Sequence, residues 1–241
     1  MKNKIISWIK EQVKQSKAKG IVMGLSGGID SSVVAALVKE AIGSKRLFGL
    51  FLPCHSHGQD LEDAKLVARK LKIKTKLIDL SAIYDSLIRL LPDAGSLAKA
   101  NLKPRLRMIV LYYFANKLNY LVCGTGNKSE LMAGYFTKHG DGATDILPIG
   151  DLLKKDVKKL AAELCIPKRI IDKAPSAGLW IGQTDEGEMG ISYIDLDNIL
   201  ASFERGSRLP KDNKVCKVRK MVENSGHKRQ GPKVFYLKKG G

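Results

Sequence analysis

The run Ser26-Gly27-Gly28-Ile29-Asp30-Ser31-Ser32 brings glycines, hydroxyls and one acid into a single short loop. Glycines let the main chain approach phosphate oxygens, helix-opening amides point at the anion, and Ser26, Ser31 and Ser32 add hydroxyl donors. Asp30 is the discordant member. A carboxylate inside a phosphate cradle repels its ligand unless a divalent cation lies between them, so the loop predicts magnesium as well as a nucleotide. The sequence contains no G-x-x-x-x-G-K-[ST], which excludes the common γ-phosphate-cleaving loop. Taken alone, the run also fits a serine-capped glycine turn.

Such a loop needs a strand to deliver it and a helix to follow it. Ile21-Val22-Met23-Gly24-Leu25 is a short apolar run leading into the glycines, and Val33 to Glu40 reads as the helix beyond. Ahead of them Ile5, Ile9 and Val13 recur every four residues, an amphipathic helix that Gly20 breaks. The alternation continues with a strand at Leu47 to Leu52, a helix at Asp60 to Leu71, a strand at Lys76 to Leu80 and a helix at Ile83 to Leu91. A long helix from about Lys103 to Leu118 tolerates Pro104 in its first turn, and Tyr120 to Thr125 is a fourth strand. This order predicts an α/β fold: an open, doubly wound, Rossmann-like parallel sheet with helices on both faces. Its ligands should sit beyond the carboxyl ends of the strands. Gly134 to Gly150 and Pro175 to Gly190 are too polar and too long for plain connections. Helices follow them at Leu153 to Cys165 and Tyr193 to Phe203. With no internal repeat and no linker, residues 1–241 read as one domain in which 191–241 form a helical, basic C-terminal extension.

Composition bounds the partners. Hydrophobic residues make up 44% of the 241, enough for one well-buried core. The balance of 42 Lys+Arg against 24 Asp+Glu gives +18, a field that attracts nucleotides and nucleic acid alike and equally describes a solvated lysine-rich surface. Cys54, Cys123, Cys165 and Cys216 are far apart and form no C-x-x-C, which excludes a zinc framework or dithiol motif and fits a reducing compartment. No run approaches the roughly 18 apolar residues of a membrane span, so a cytoplasmic protein is expected.

At Ser26 to Ser32 the chain resembles the pyrophosphatase-loop ATPases, which cleave ATP between the α and β phosphates to adenylylate a substrate. Further runs are similar to those of the ammonia-dependent NAD synthetases, and the likeness covers about residues 20 to 232. They are Leu121 to Glu130, Gly134 to Gly142, Asp145-Ile146-Leu147-Pro148, Asp185 to Tyr193, and His227-Lys228-Arg229-Gln230-Gly231-Pro232. The Phe136-Thr137-Lys138-x-Gly140-Asp141-Gly142 element is especially specific.

That resemblance implies the adenine nucleotide alpha hydrolase-like fold and a homodimer. ATP with magnesium would fill one pocket, and deamido-NAD a neighbouring one formed partly by the second subunit. It places ATP on Gly24, Leu25, Ser26, Gly27, Gly28, Ile29, Asp30 and Ser31, with Thr125, Lys154 and Ser176 as further contacts, and magnesium on Asp30 and Glu130. Arg105, Tyr135, Lys138, Asp145, His227 and Lys228 match positions on deamido-NAD, and Lys154 and Asp141 are the catalytic candidates. Charge alone agrees, since several phosphates need several cations, and Arg105, Lys138, Lys154 and Lys228 can supply them. Plainer readings stay open. Lys154 shares its helix with Lys155, Lys158 and Lys159 and fits a solvated face, and Glu130 fits a first-turn helix acid. Asp141 fits a turn-former, and His227 a tail residue.

In the implied reaction the nicotinate carboxylate attacks the α-phosphorus, pyrophosphate leaves, and ammonia attacks the acyl adenylate to give NAD and AMP. A carboxylate that binds ammonium and takes a proton would help, with Asp141 or Asp145 as candidates. The chain departs from the family pattern at Leu52, where an Arg reaching ATP often precedes the proline. Ser176 stands for Thr and Tyr135 for Phe. Its length leaves no room for a glutaminase domain, so ammonia, free or delivered by a separate glutaminase, is the expected nitrogen source. The competing enzyme is a transfer-RNA modifier such as a lysidine synthetase, favoured by the charge and the basic tail from Lys211 onward, although nucleic acid is not the expected partner. A nucleotide-binding regulatory subunit is the non-enzyme alternative, weakened by the presence of both acids and the lysines.

Overall fold

The apolar runs form four parallel strands, β1 (Gly20–Gly24), β2 (Leu47–Phe51), β3 (Lys74–Leu77) and β4 (Tyr120–Val122), in the order β3-β2-β1-β4. This is a computed structural model, and it describes residues 1–180, 182–207, 210, 212–235 and 237. The chain winds outward from β1 to β3 and then crosses back to lay β4 on the other side of β1. The direction of winding therefore reverses between β1 and β4, the place where open α/β sheets as a class bind their ligands.

Twelve α-helices are described: α1 (Lys2–Gln15), α2 (Ile29–Ile42), α3 (Gly58–Leu71), α4 (Ser81–Leu90), α5 (Ser96–Ala100), α6 (Leu102–Leu118), α7 (Lys128–Ala133), α8 (Lys154–Glu163), α9 (Lys168–Ile171), α10 (Asp185–Met189), α11 (Tyr193–Glu204) and α12 (Asn213–Asn224). Strand side chains alternate between two cores, as a pleated sheet covered on both faces requires. Ile21 and Met23 pack with Ile9 and Val13 of α1, Val34, Leu37 and Val38 of α2, and Val157 and Leu160 of α8. Val22 and Leu50 point the other way, to Met108, Leu111 and Phe114 of α6. A third cluster joins Leu196 and Leu200 of α11 and Val215 and Val218 of α12 to Ala133 and Leu153.

Three elements differ from the sequence reading. The third strand, expected at Lys76 to Leu80, forms at Lys74–Leu77, where it is the mostly exposed edge of the sheet. Its lysines suit an edge, whereas the apolar Leu80 is buried just ahead of α4. The fourth strand stops at Val122, and Cys123 pairs instead with Ile146, which ties the polar loop back onto the sheet. The second irregular stretch contains α10, a helix too short to show a periodic pattern. Lys211, where the basic tail was expected to begin, lies outside the described residues.

Candidate active site

The Ser26–Ser32 loop is shaped from within. Leu25 N–H donates to Leu50 O at 2.9 Å, carrying the sheet bonding one residue past β1. Gly27 follows with φ +81°, and a Cβ there would stand 2.2 Å from the Asp60 carbonyl oxygen, so neither the backbone angle nor the space admits a side chain. Gly28 caps α2, and both Ser31 Oγ (3.1 Å) and Ser32 Oγ (2.7 Å) donate to its carbonyl. Ser26 Oγ lies 3.0 Å from Ser31 Oγ and accepts from Gly28 N–H at 3.3 Å. The positive end of α2 therefore opens beside the exposed Ser26 hydroxyl, with Ser31 and Ser32 buried beneath it.

Lys154 stands at the mouth of this cradle. Its Nζ is 2.5 Å from Asp30 Oδ2 and 3.2 Å from Glu130 Oε1, and it lies 5.0 Å over the Tyr193 ring. The residue is only 2% exposed, whereas Lys155, Lys158 and Lys159 on the same helix face solvent. Burial works against its charge, but Asp30 and Glu130 outweigh it and hold the ammonium protonated well above the ordinary lysine range. Burial is also the main influence on Glu130, whose pKa rises to about 7 despite the opposing pull of Lys154. Asn127 organises both acids. Its Nδ2 donates to Asp30 Oδ1 at 3.0 Å, and it forms a capping box with Glu130 at the start of α7. Beyond Glu130 the Tyr193 hydroxyl lies 3.4 Å from Oε1 and 3.0 Å from Asp185 Oδ2. Asp185 is buried, and among the described residues its Oδ1 has no hydrogen-bond partner.

A second group gathers around the Gly134–Gly142 loop. Arg105 of α6 donates to the Lys138 carbonyl at 3.3 Å, while Lys138 Nζ donates to the carbonyls of His227 (2.5 Å) and Gln230 (3.1 Å). Lys228 Nζ donates to the carbonyls of Gly134 (2.8 Å) and Phe136 (3.0 Å), and Asp141 Oδ1 accepts from Thr137 N–H at 2.9 Å. Arg105, Lys138, Asp141, His227 and Lys228, remote in sequence, thus meet at one loop. Tyr135 extends from it to donate to Glu188 Oε2 at 2.8 Å, and Gln183 Nε2 donates to the same oxygen at 2.7 Å.

Three expected residues stand apart from these groups. Both oxygens of Asp145 are taken, by the Tyr112 hydroxyl at 2.9 Å and Val122 N–H at 2.7 Å. Ser176 is exposed and accepts from Gly178 N–H, and Thr125 is half-buried just past β4. The Asn127, Gln183, Asp185, Glu188 and Tyr193 contacts are absent from the sequence reading, although the Asn-x-x-Glu capping signature was legible. Arg107 was missed as well. It reaches from α6 to Leu52 O (3.0 Å) and Ser56 Oγ (3.3 Å), which brings a guanidinium to the side where the resemblance led to the expectation of an arginine at Leu52.

Asp30 and Glu130 both face the Lys154 ammonium, and their hard carboxylate oxygens are of the donor type that suits magnesium. Among the described residues no third His, Cys, Asp or Glu completes a metal-binding group, so phosphate oxygens and water would fill the remaining positions.

The family model described as NAD synthase matches residues 1–232. The chain is 52% identical over 233 residues to the NH(3)-dependent NAD(+) synthetase of Archaeoglobus fulgidus, covering 96% of this chain and 94% of the relative. It is 48% identical over 239 residues to that of Carboxydothermus hydrogenoformans, covering 97% and 96%. Two solved structures share the fold over 98% of this chain and 97% of their own: an NMN synthetase from Francisella tularensis (TM-score 0.89, 38% identity), and an NH3-dependent NAD synthetase from Campylobacter jejuni in complex with nitrate (TM-score 0.85, 31% identity). With this likeness running through strands, cradle and both polar loops, the chain belongs to the NAD synthase family.

Proposed function

We propose that the protein completes NAD by amidating deamido-NAD with ammonia, converting ATP to AMP and pyrophosphate. The observation that carries this reading is the Asp30–Lys154–Glu130 centre at the mouth of a hydroxyl-lined cradle. It places a buried cation and two hard ligands where a triphosphate would lie. Asp30 and Glu130 would hold magnesium, which supplies charge neutralisation for the departing pyrophosphate. Lys154 adds a fixed positive charge toward the phosphates, with Thr125 and Ser176 as further ATP contacts. Tyr135 offers a ring to the pyridine, while Arg105, Lys138, His227 and Lys228 serve the dinucleotide phosphates. In the first step the nicotinate oxygen bonds to the α-phosphorus and the bond to pyrophosphate breaks. In the second the ammonia lone pair forms the C–N bond, the nitrogen gives up a proton to solvent, the acyl C–O bond breaks, and AMP leaves with that electron pair. Positioning and electrostatics supply most of the rate.

Purified protein given ATP, deamido-NAD, ammonium and magnesium should form NAD, AMP and pyrophosphate in equal amounts, and glutamine alone should not support turnover. The NMN synthetase likeness favours one second reading, in which nicotinate mononucleotide is the acid that is amidated. Comparing kcat/KM for the two acids decides between them. The functional unit is proposed to be a cytoplasmic homodimer with one domain per chain, so light scattering should give twice the chain mass. Among the described residues no helix is long and apolar enough to cross a membrane.

A further inference from the structure

The amide nitrogen has to reach an acyl carbon lying between the phosphate cradle and the pyridine site. A string of polar contacts spans that interval. From Asp30 and Lys154 it passes to Glu130, through the Tyr193 hydroxyl to Asp185, and Tyr135 with Glu188 and Gln183 stands at the far side. Among the described residues one carboxylate oxygen in the string lacks a donor in hydrogen-bond geometry: Asp185 is 4% exposed, its Oδ2 accepts from Tyr193 at 3.0 Å, and its Oδ1 is left over. Leaving a charged acceptor unpaired in a buried place is strongly unfavourable, and such groups often mark a ligand.

We propose that Asp185 binds the ammonium ion that, once it has lost a proton to solvent, supplies the amide nitrogen, with the hydroxyls of Tyr193 and Tyr135 beside it; this rests on the amidation reading above. Ammonium is small, cationic and rich in donors, so an unpaired carboxylate oxygen flanked by phenol oxygens matches it. Asp185 is also among the acids that act on the single ammonium of Lys154. Burial prevails and holds the pKa of Asp185 above the ordinary carboxylate range, against the opposing pull of Lys154, the Tyr193 and Tyr135 hydroxyls and the Ala177 amide. The acids that the sequence offers for this task are placed differently. Asp145 has both oxygens filled, and Asp141 Oδ1 accepts the Thr137 amide.

The test is steady-state kinetics of Asp185→Asn with ammonium and then with hydroxylamine, a nucleophile that is largely uncharged at mildly alkaline pH. Deamido-NAD-dependent exchange of pyrophosphate into ATP, which needs no nitrogen source, is measured alongside. The KM for ammonium should rise by about tenfold or more, the loss expected for one charge-assisted hydrogen bond. Exchange and hydroxylamine turnover should stay within about threefold of wild type, less than the loss of such a bond. An unchanged KM for ammonium would overturn the assignment. So would equal losses with both nucleophiles and in exchange, since those describe a scaffold defect. Should Asp185→Asn fail to fold, Tyr193→Phe decides: it loosens the aim of the carboxylate, and a severalfold rise in KM for ammonium alone supports the site, whereas no selective rise refutes it. Wild-type protein that forms no NAD and exchanges no pyrophosphate would instead sink the amidation reading.

Discussion

The two oxygens of Glu130 have separate tasks. Oε2 accepts Asn127 N–H and closes the capping box, while Oε1 faces Lys154. Oε2 thus meets the plain reading of a first-turn helix acid and leaves Oε1 for the metal ligation proposed above. Glu130→Gln keeps an acceptor for the cap and loses the charge, so its thermal midpoint should stay near wild type. Magnesium-dependent NAD formation should fall by about 100-fold, as for loss of a metal-site group. Equal loss of stability and activity would refute the division of labour. Lys154 shows what the sequence hid. In the sequence it is one of a row of helix lysines, and only its contact with Asp30, far away along the chain, marks it as buried. Asp30 was legible because an acid among glycines and serines conflicts with a phosphate cradle.

At the scale of elements, the cradle depends on how closely α3 approaches β1. Gly27→Ala adds a Cβ against the Asp60 backbone at a positive φ. It should cost at least about 1–2 kcal/mol and weaken nucleotide binding, measured by chemical denaturation and by calorimetric titration. The same helix carries Asp63, whose side chain is 4% exposed and meets Arg169 at 2.7 Å and Lys173 at 2.8 Å. Burial alone would raise its pKa, but its bonds to Lys173 and Gln59 prevail and hold it below the ordinary range. With the folded pKa below the unfolded one, this stabilisation is present above about pH 4 and is lost as pH falls through the folded pKa. Asp63→Asn should therefore cost about 3 kcal/mol near neutral pH and less in acid, read from denaturation at several pH values. The strands and larger helices were legible because their apolar runs keep period. The edge strand was misplaced because its residues are half lysine and its burial depends on a neighbour. The short helices carry too few turns to show a period.

At the scale of the molecule, residues from every third of the chain converge where the winding reverses between β1 and β4. That reversal of strand order was implied by the alternation of elements, whereas the clamping of the Lys138 loop by residues 227–230 was not. Those contacts are side chain to backbone, and no periodicity announces them. If the basic tail serves nucleotides rather than nucleic acid, transfer RNA should not compete with deamido-NAD at physiological salt, which filter binding across ionic strengths would check.

The pairing of Gly20 with Tyr120 also has a kinetic side. β1 is made early in synthesis but cannot gain its second neighbour until a hundred more residues have emerged and closed a long, entropically costly loop. Glu130 and Lys154 arrive later still. On refolding, helical signal should return first and nucleotide binding last, so competence to bind ATP becomes a timer for completion of the chain, and a stalled or truncated product carrying the cradle would neither bind nor consume ATP.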